Sequence, residues 1–218
     1  MTYFDQFNDW FKNKHQNLIT TSMPSYKRWF ISEMYSFYSI SNSILDTWTE
    51  DDFIKHPEVL EMAYPQIRRL LESYFRILYI FNDESKIKER FNTYVEHIKA
   101  LYSKAYNDIS EMDENLKKEN VALKSLLDLL PKPMPGKTDK FFDNVKSMLE
   151  QVRNEDGKNF GSFYIWYRIT SFYSHGNINK EIWDNISPSN ANFLVLGIKN
   201  LINLIANTYI VKIKELNL

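Results

Sequence analysis

Arg168, Ser171 and His175 fall three and seven residues apart in a segment otherwise crowded with aromatics, Tyr167-Arg168-Ile169-Thr170-Ser171-Phe172-Tyr173-Ser174-His175-Gly176-Asn177. A histidine titrates near neutral pH and can move a proton. An arginine can hold an oxyanion and stabilise charge that develops on it. A serine can orient the imidazole or contact the same anion. On a helix, positions three, four and seven apart share a face. If residues 160–175 form one helix, the three side chains line one polar stripe, with Tyr164 and Gly161 one and two turns earlier. The other positions are apolar: Phe160, Phe163, Ile165, Trp166, Ile169, Phe172 and Tyr173. A helix apolar nearly all round is normally buried, and a buried polar stripe must find partners or cost stability.

A second polar stripe stands far upstream. Arg68, Glu72 and Arg76 are spaced i, i+4, i+8 within the apolar stretch Ile67–Phe81. Packing the two helices together satisfies both stripes, so Arg68, Glu72, Arg168 and His175 are expected to converge. Simpler roles compete with this at every position. Arg68, Glu72 and Arg76 also make an ordinary intrahelical ion-pair ladder, which is usually solvated and worth little. Ser171 and His175 can bond each other at i, i+4, and a histidine at a helix C-terminus interacts well with the dipole. The aromatics are core material before they are a base-stacking platform.

Other chemical signatures are absent. Pro135-Gly136-Lys137-Thr138 looks like the end of a phosphate-binding loop, but the glycine that motif needs five positions earlier is Pro131. The four histidines, His15, His56, His97 and His175, include no pair three to five residues apart, so helical pairing of histidine ligands is missing. There is no nucleophile elbow and no dinucleotide fingerprint. Neither a metal nor a cofactor is expected.

The elements that must carry the stripes read as helices. Phe4, Phe7, Trp10 and Phe11 recur at helical spacing over residues 2–17. A second helix, rich in aromatics, follows Pro24 and runs to about residue 47, with the proline near its first turn. The next spans about 57–82, with Pro65 starting a new helix or kinking this one. Residues 84–118 repeat apolar positions in threes and fours. As one rod they would reach roughly 50 Å, which suggests a projecting helix or, over 84–130, a projecting hairpin. Thr138 reads as the cap of a helix reaching about residue 154, after the loop 131–136. Gly176-Asn177 reads as the end of the motif helix, and a last helix covers about 190–215, so that residues 160–216 hold the motif helix and a core helix. The expected architecture is all-α: one domain over 1–218, a multi-helix bundle with one long projecting helix or hairpin.

Composition agrees. The chain has 218 residues, 44% hydrophobic and 16% aromatic, with 5 glycines and 7 prolines, too few for a protein of many tight turns. Its 27 basic and 28 acidic residues give a net charge of −1, so no global basic field draws nucleic acid, although a local patch remains open. There is no cysteine, which removes disulfides and thiolate chemistry. The N-terminal residues carry no signal-peptide pattern. The most apolar run, residues 193–211, is interrupted by Lys199, Asn200, Asn203 and Asn207 and reads as a core helix, not a membrane span. A cytoplasmic protein without membrane contact is expected.

The paired motifs resemble a bacterial family of unknown function that combines Arg-x-x-x-Glu with a downstream Tyr-Arg-x-x-Ser-x-x-x-His. Here these are Arg68 and Glu72, then Tyr167, Arg168, Ser171 and His175. The second motif also resembles the HEPN superfamily of helical domains, whose signature is an arginine, four to six residues, and a histidine near the end of a bundle. Arg168 and His175 have six residues between them, and Ile169 stands where active members often carry a polar residue. The resemblance implies a metal-independent ribonuclease, or an inactive relative of one, in toxin–antitoxin or phage-defence systems, with arginine and histidine of two protomers meeting at a homodimer cleft. It implies RNA as substrate and an antitoxin or defence protein as a possible partner. Arg168 and His175 would be catalytic, with Ser171, Glu72, Arg68 and Tyr167 in support. The alternative is a non-enzymatic helical binding or interaction protein that uses the same polar cluster for recognition or stability.

Overall fold

The computed structural model describes residues 1–14, 18, 22–47, 59–110, 131–139, 141–157, 160–174 and 188–218. Among them the chain is an all-α multi-helix bundle without strands. The helices are α1 (Tyr3–Lys14), α2 (Ser25–Thr47), α3 (Val59–Ile80), α4 (Ile87–Ser110), α5 (Val145–Asp156), α6 (Gly161–Ser174) and α7 (Pro188–Glu215), with one 3₁₀ turn at Glu84–Lys86.

α1 starts where Thr2 and Asp5 cap each other. The Thr2 hydroxyl accepts the Asp5 amide (3.1 Å) and the Asp5 carboxylate accepts the Thr2 amide (2.7 Å), a capping box built on aspartate. Its Phe4, Phe7 and Phe11 are buried as one stripe, and α1 packs along α7. α2 buries Phe30, Met34, Phe37 and Ile44 at helical spacing. The two faces meet on Tyr209 of α7, whose ring stacks on Phe37 (centroids 4.8 Å apart) and lies 5.5 Å from Phe30 and 5.7 Å from Phe7. Aromatic groups of this kind carry much of a core's burial energy.

α3 is the central helix and packs against α2, α4, α5 and α6. It buries Ala63, Tyr64, Ile67, Leu70, Leu71, Tyr74, Phe75, Ile77 and Leu78, residues that fall on nearly every side. It runs unbroken through Pro65, where the sequence suggested a helix start or kink. α4 begins after the 3₁₀ turn, which Asp83 caps by accepting the Ser85 amide. Its described part is held in the bundle by Ile87, Phe91, Tyr94 and His97, all buried. The expected long hairpin also includes residues 111–130, which lie outside the described residues.

The segment 131–139 is not helical. It runs back along α4 as a strap, and the helix expected from Thr138 begins instead at Val145, where the Asn144 side chain accepts the Ser147 amide. The physical reason is that the strap's backbone is committed to α4. Tyr102 donates to the Pro131 carbonyl (2.7 Å), Ser103 to that of Met134 (2.9 Å), and the Asp139 amide donates to His97 Nδ1 (3.1 Å). Gly136 fits because a Cβ there would lie 2.5 Å from the Glu96 carbonyl oxygen and 2.6 Å from the Ala100 nitrogen. Only the absence of a side chain permits so close an approach.

Candidate functional site

The two motif helices pack on each other. α6 lies along α3, with Phe163 5.0 Å from Tyr74 and Tyr167 edge-on to Phe75 at 5.8 Å. On its other side Trp166 fits against Gly197 of α7, where a Cβ would collide with the indole. Phe163 and Thr170 are buried on this inner side. Tyr167 is half-buried and holds two hydroxyls of its own helix: Thr170 and Ser171 both donate to its carbonyl, at 3.0 and 2.7 Å.

The α3 stripe forms the ladder that its spacing predicts. Arg68 donates to Glu72 at 3.0 Å and Arg76 approaches the other carboxylate oxygen at 3.8 Å, with all three side chains partly buried. Each guanidinium also caps an aromatic ring, Arg68 over Tyr167 (5.7 Å) and Arg76 over Tyr94 (5.8 Å). Cation–π contacts of this kind add about 0.5–1 kcal/mol at partly exposed sites. Arg68, Glu72 and Tyr167 are therefore brought together.

Arg168 is placed differently. The α6 helix is not sealed: Ile165 is 61% exposed and Arg168 is exposed, because α3 and α7 cover only the sides carrying Phe163, Tyr167, Thr170 and Trp166. A near-uniformly apolar helix was expected to be buried, and its packing leaves Ile165 and Arg168 exposed. Arg168 makes no ion pair among the described residues, and Glu72 is held by Arg68 and Arg76 instead. Ser171 is half-buried and spends its hydroxyl on Tyr167. His175 lies outside the described residues, as do His15 and His56. The outer face of α6 thus presents Tyr164, Arg168 and Ser171 on one stripe, with Tyr164 lying 6.2 Å from Tyr167 and nearly parallel to it.

Three polar clusters escaped the sequence reading. In the first, Glu33 is 6% exposed between α2 and α3, where Ser73 donates to its carboxylate and Arg69 approaches at 3.7 Å. Its position on the Phe30–Met34–Phe37 face of α2 was the available signal. Burial pushes the neighbouring Tyr209 hydroxyl well above its ordinary range, and Tyr74, bonded to Thr208, up to about 12. In the second, Glu155 of α5 accepts from Arg90, Asn82, Gln151 and Lys86. The Arg90 hydrogen bond, aided by those from Gln151 and Asn82, overcomes burial and holds the carboxyl at about 2. Arg90 also donates to the Tyr79 carbonyl (2.7 Å) and lies 4.5 Å from the centre of that ring. In the third, His97 is 2% exposed. Its Nδ1 accepts the Asp139 amide, and its Nε2 lies 3.3 Å from Asp143. Accepting a backbone N–H at Nδ1 fixes the tautomer with its proton on Nε2. These clusters tie elements of the bundle together, and none includes a residue of α6.

Among the described residues no three His, Asp or Glu side chains gather as metal ligands would. No described helix is long and apolar enough to cross a membrane. Comparison with protein-family models, with curated proteins and with solved structures finds no match.

Proposed function

We propose that the chain is a HEPN-like, metal-independent endoribonuclease of a phage-defence or toxin–antitoxin system, acting in the cytoplasm as a homodimer. One observation carries this reading. Arg68, Arg69 and Arg76 of α3 each face a carboxylate, whereas Arg168, on the motif helix, is exposed and has no acidic partner among the described residues. A guanidinium without a counter-ion offers five N–H donors to a phosphate. RNA supplies its own nucleophile. The ribose 2′-oxygen attacks the adjacent phosphorus as His175 removes its proton. Arg168 binds the non-bridging oxygens as their charge grows. The bond to the 5′-oxygen breaks, that oxygen takes a proton from water, His175 later releases its own proton to solvent, and a 2′,3′-cyclic phosphate remains. Arg68 and Glu72 act as positioning residues, because they brace Tyr167 next to Arg168.

A second reading has its own support. The Ser171 hydroxyl is engaged by the Tyr167 carbonyl, which is what a purely structural stripe requires. On that reading the exposed face of α6 binds a partner without cleaving it.

The test is incubation of the purified chain with structured and single-stranded RNA in the presence of chelator, with Arg168→Ala and His175→Ala alongside. Cleavage by the wild type and its loss in both variants at unchanged Tm are expected. Binding without cleavage would favour the second reading, and neither binding nor cleavage on any RNA would remove the first.

A further inference from the structure

The strap 131–139 does more than tie down α4. Between it, α4 and Trp29 of α2 lies a cavity of about 570 Å³. That is within the roughly 300–1,000 Å³ of small-molecule sites. Its walls are Trp29, Phe91, Tyr94, Ile98, Tyr102 and Met134, and almost none of the surface they expose is polar. The inner wall is closely packed: Trp29 stands 5.2 Å from Tyr94 and 5.8 Å from Phe91. The outer wall is fixed by the Tyr102–Pro131 and Ser103–Met134 hydrogen bonds and by the close seating of Gly136. The cavity is thus largely pre-formed, so a ligand need not order its walls.

Its charge is one-sided. Among the described residues, the groups of fixed charge along the lining are Lys99 and Lys132, and none is a carboxylate. Lys99 is paired with Glu96 at 2.7 Å. Lys132 is exposed and makes no ion pair among the described residues. An apolar cavity bordered by an exposed lysine favours a molecule with an apolar body and one anionic end, whose tail stays dry while its head reaches the ammonium in solvent.

We propose that this cavity binds a small apolar monocarboxylate, with its body between Trp29, Phe91 and Ile98 and its carboxylate on Lys132. The site is separate from the face of α6, and the proposal does not depend on ribonuclease activity.

Calorimetric titration of the full chain with decanoate, and with decanol as its uncharged counterpart, tests this. Decanoate should bind saturably at one site per chain and at least about tenfold more tightly than decanol, the scale of one charge-assisted contact. Lys132→Glu should weaken decanoate by about tenfold or more at unchanged Tm. Ile98→Trp, at a position 41% exposed, should fill the cavity and abolish binding. Should that variant melt early, Met134→Trp, at a position 60% exposed, serves instead. No saturable binding below the micellar range would overturn the proposal, as would binding that survives the filling variant. Equal affinity for decanol and decanoate, unchanged by Lys132→Glu, would overturn the anionic part.

Discussion

Replacing Glu155 with glutamine should separate α5 energetically from the α3–α4 turn. The carboxylate holds Asn82 and Lys86 of that turn, Arg90 of α4 and Gln151 of its own helix. Arg90 is 6% exposed and Glu155 16% exposed, so this is a mostly buried pair. Glutamine keeps the shape but leaves the Arg90 guanidinium buried without a counter-charge. Breaking one side of such a pair costs about 3 kcal/mol or more. For a chain of this length that corresponds to a Tm lower by roughly 6–12 °C. The pH dependence supplies an independent check. Glu155 titrates at about 2 in the folded chain, against an ordinary value of 4.5. A depressed carboxyl stabilises the fold fully above 4.5, and that contribution is lost as pH falls from 4.5 towards 2. Urea unfolding of the wild type and Glu155→Gln should therefore show a wide gap at pH 7 that narrows at pH 3. Lys86→Met is the control, since Lys86 is 45% exposed and should change stability by less than about 1 kcal/mol. A gap as wide at pH 3 as at pH 7, or a glutamine variant as stable as the wild type, would refute the reasoning.

Two further outcomes follow from the packing, and a third tests the homodimer proposed above. Ser73→Ala should destabilise the chain by about 1–3 kcal/mol, because the buried Glu33 carboxylate loses its hydroxyl donor, and thermal melts measure this. Gly136→Ala should lift the strap from α4, since the added methyl meets helix backbone, at a cost of about 1–3 kcal/mol and with faster amide exchange at Asp139. Light scattering at high concentration should return twice the protomer mass of 26.1 kDa, and the protomer mass itself would count against a homodimer.

Much of the fold is legible in the sequence because it is local. Phe4, Phe7 and Phe11 on α1 and the Arg68–Glu72–Arg76 ladder on α3 follow directly from a 3.6-residue period. What the period does not contain is contact between distant segments. Glu155 and Arg90 are 65 residues apart, Glu33 and Ser73 are 40, and Asp139 and His97 are 42. None announces itself by spacing. Thr138 looks like a helix cap because threonine is a good one, but the strap's bonds to α4 decide where the helix starts. The open face of α6 was hidden for a similar reason. Its composition indicates burial, and only the tertiary packing shows that Ile165 and Arg168 stay in solvent. Glu72 is paired with Arg68 and Arg76, so Arg168→Ala strands no carboxylate there and is a clean probe of function.

That variant provides the most direct test. Wild type and Arg168→Ala are compared on a uniformly labelled RNA in chelator, with Tm measured on the same samples. Arg168 is exposed and has no ion-pair partner among the described residues, so the two should melt within about 0.5 kcal/mol of each other in stability. The wild type should release fragments ending in 2′,3′-cyclic phosphate, and Arg168→Ala should cut at least about 100-fold more slowly, the scale of losing one preorganised charge donor. Fragments produced equally by both proteins, or by neither, would contradict the assignment of Arg168 to phosphate binding in a ribonuclease.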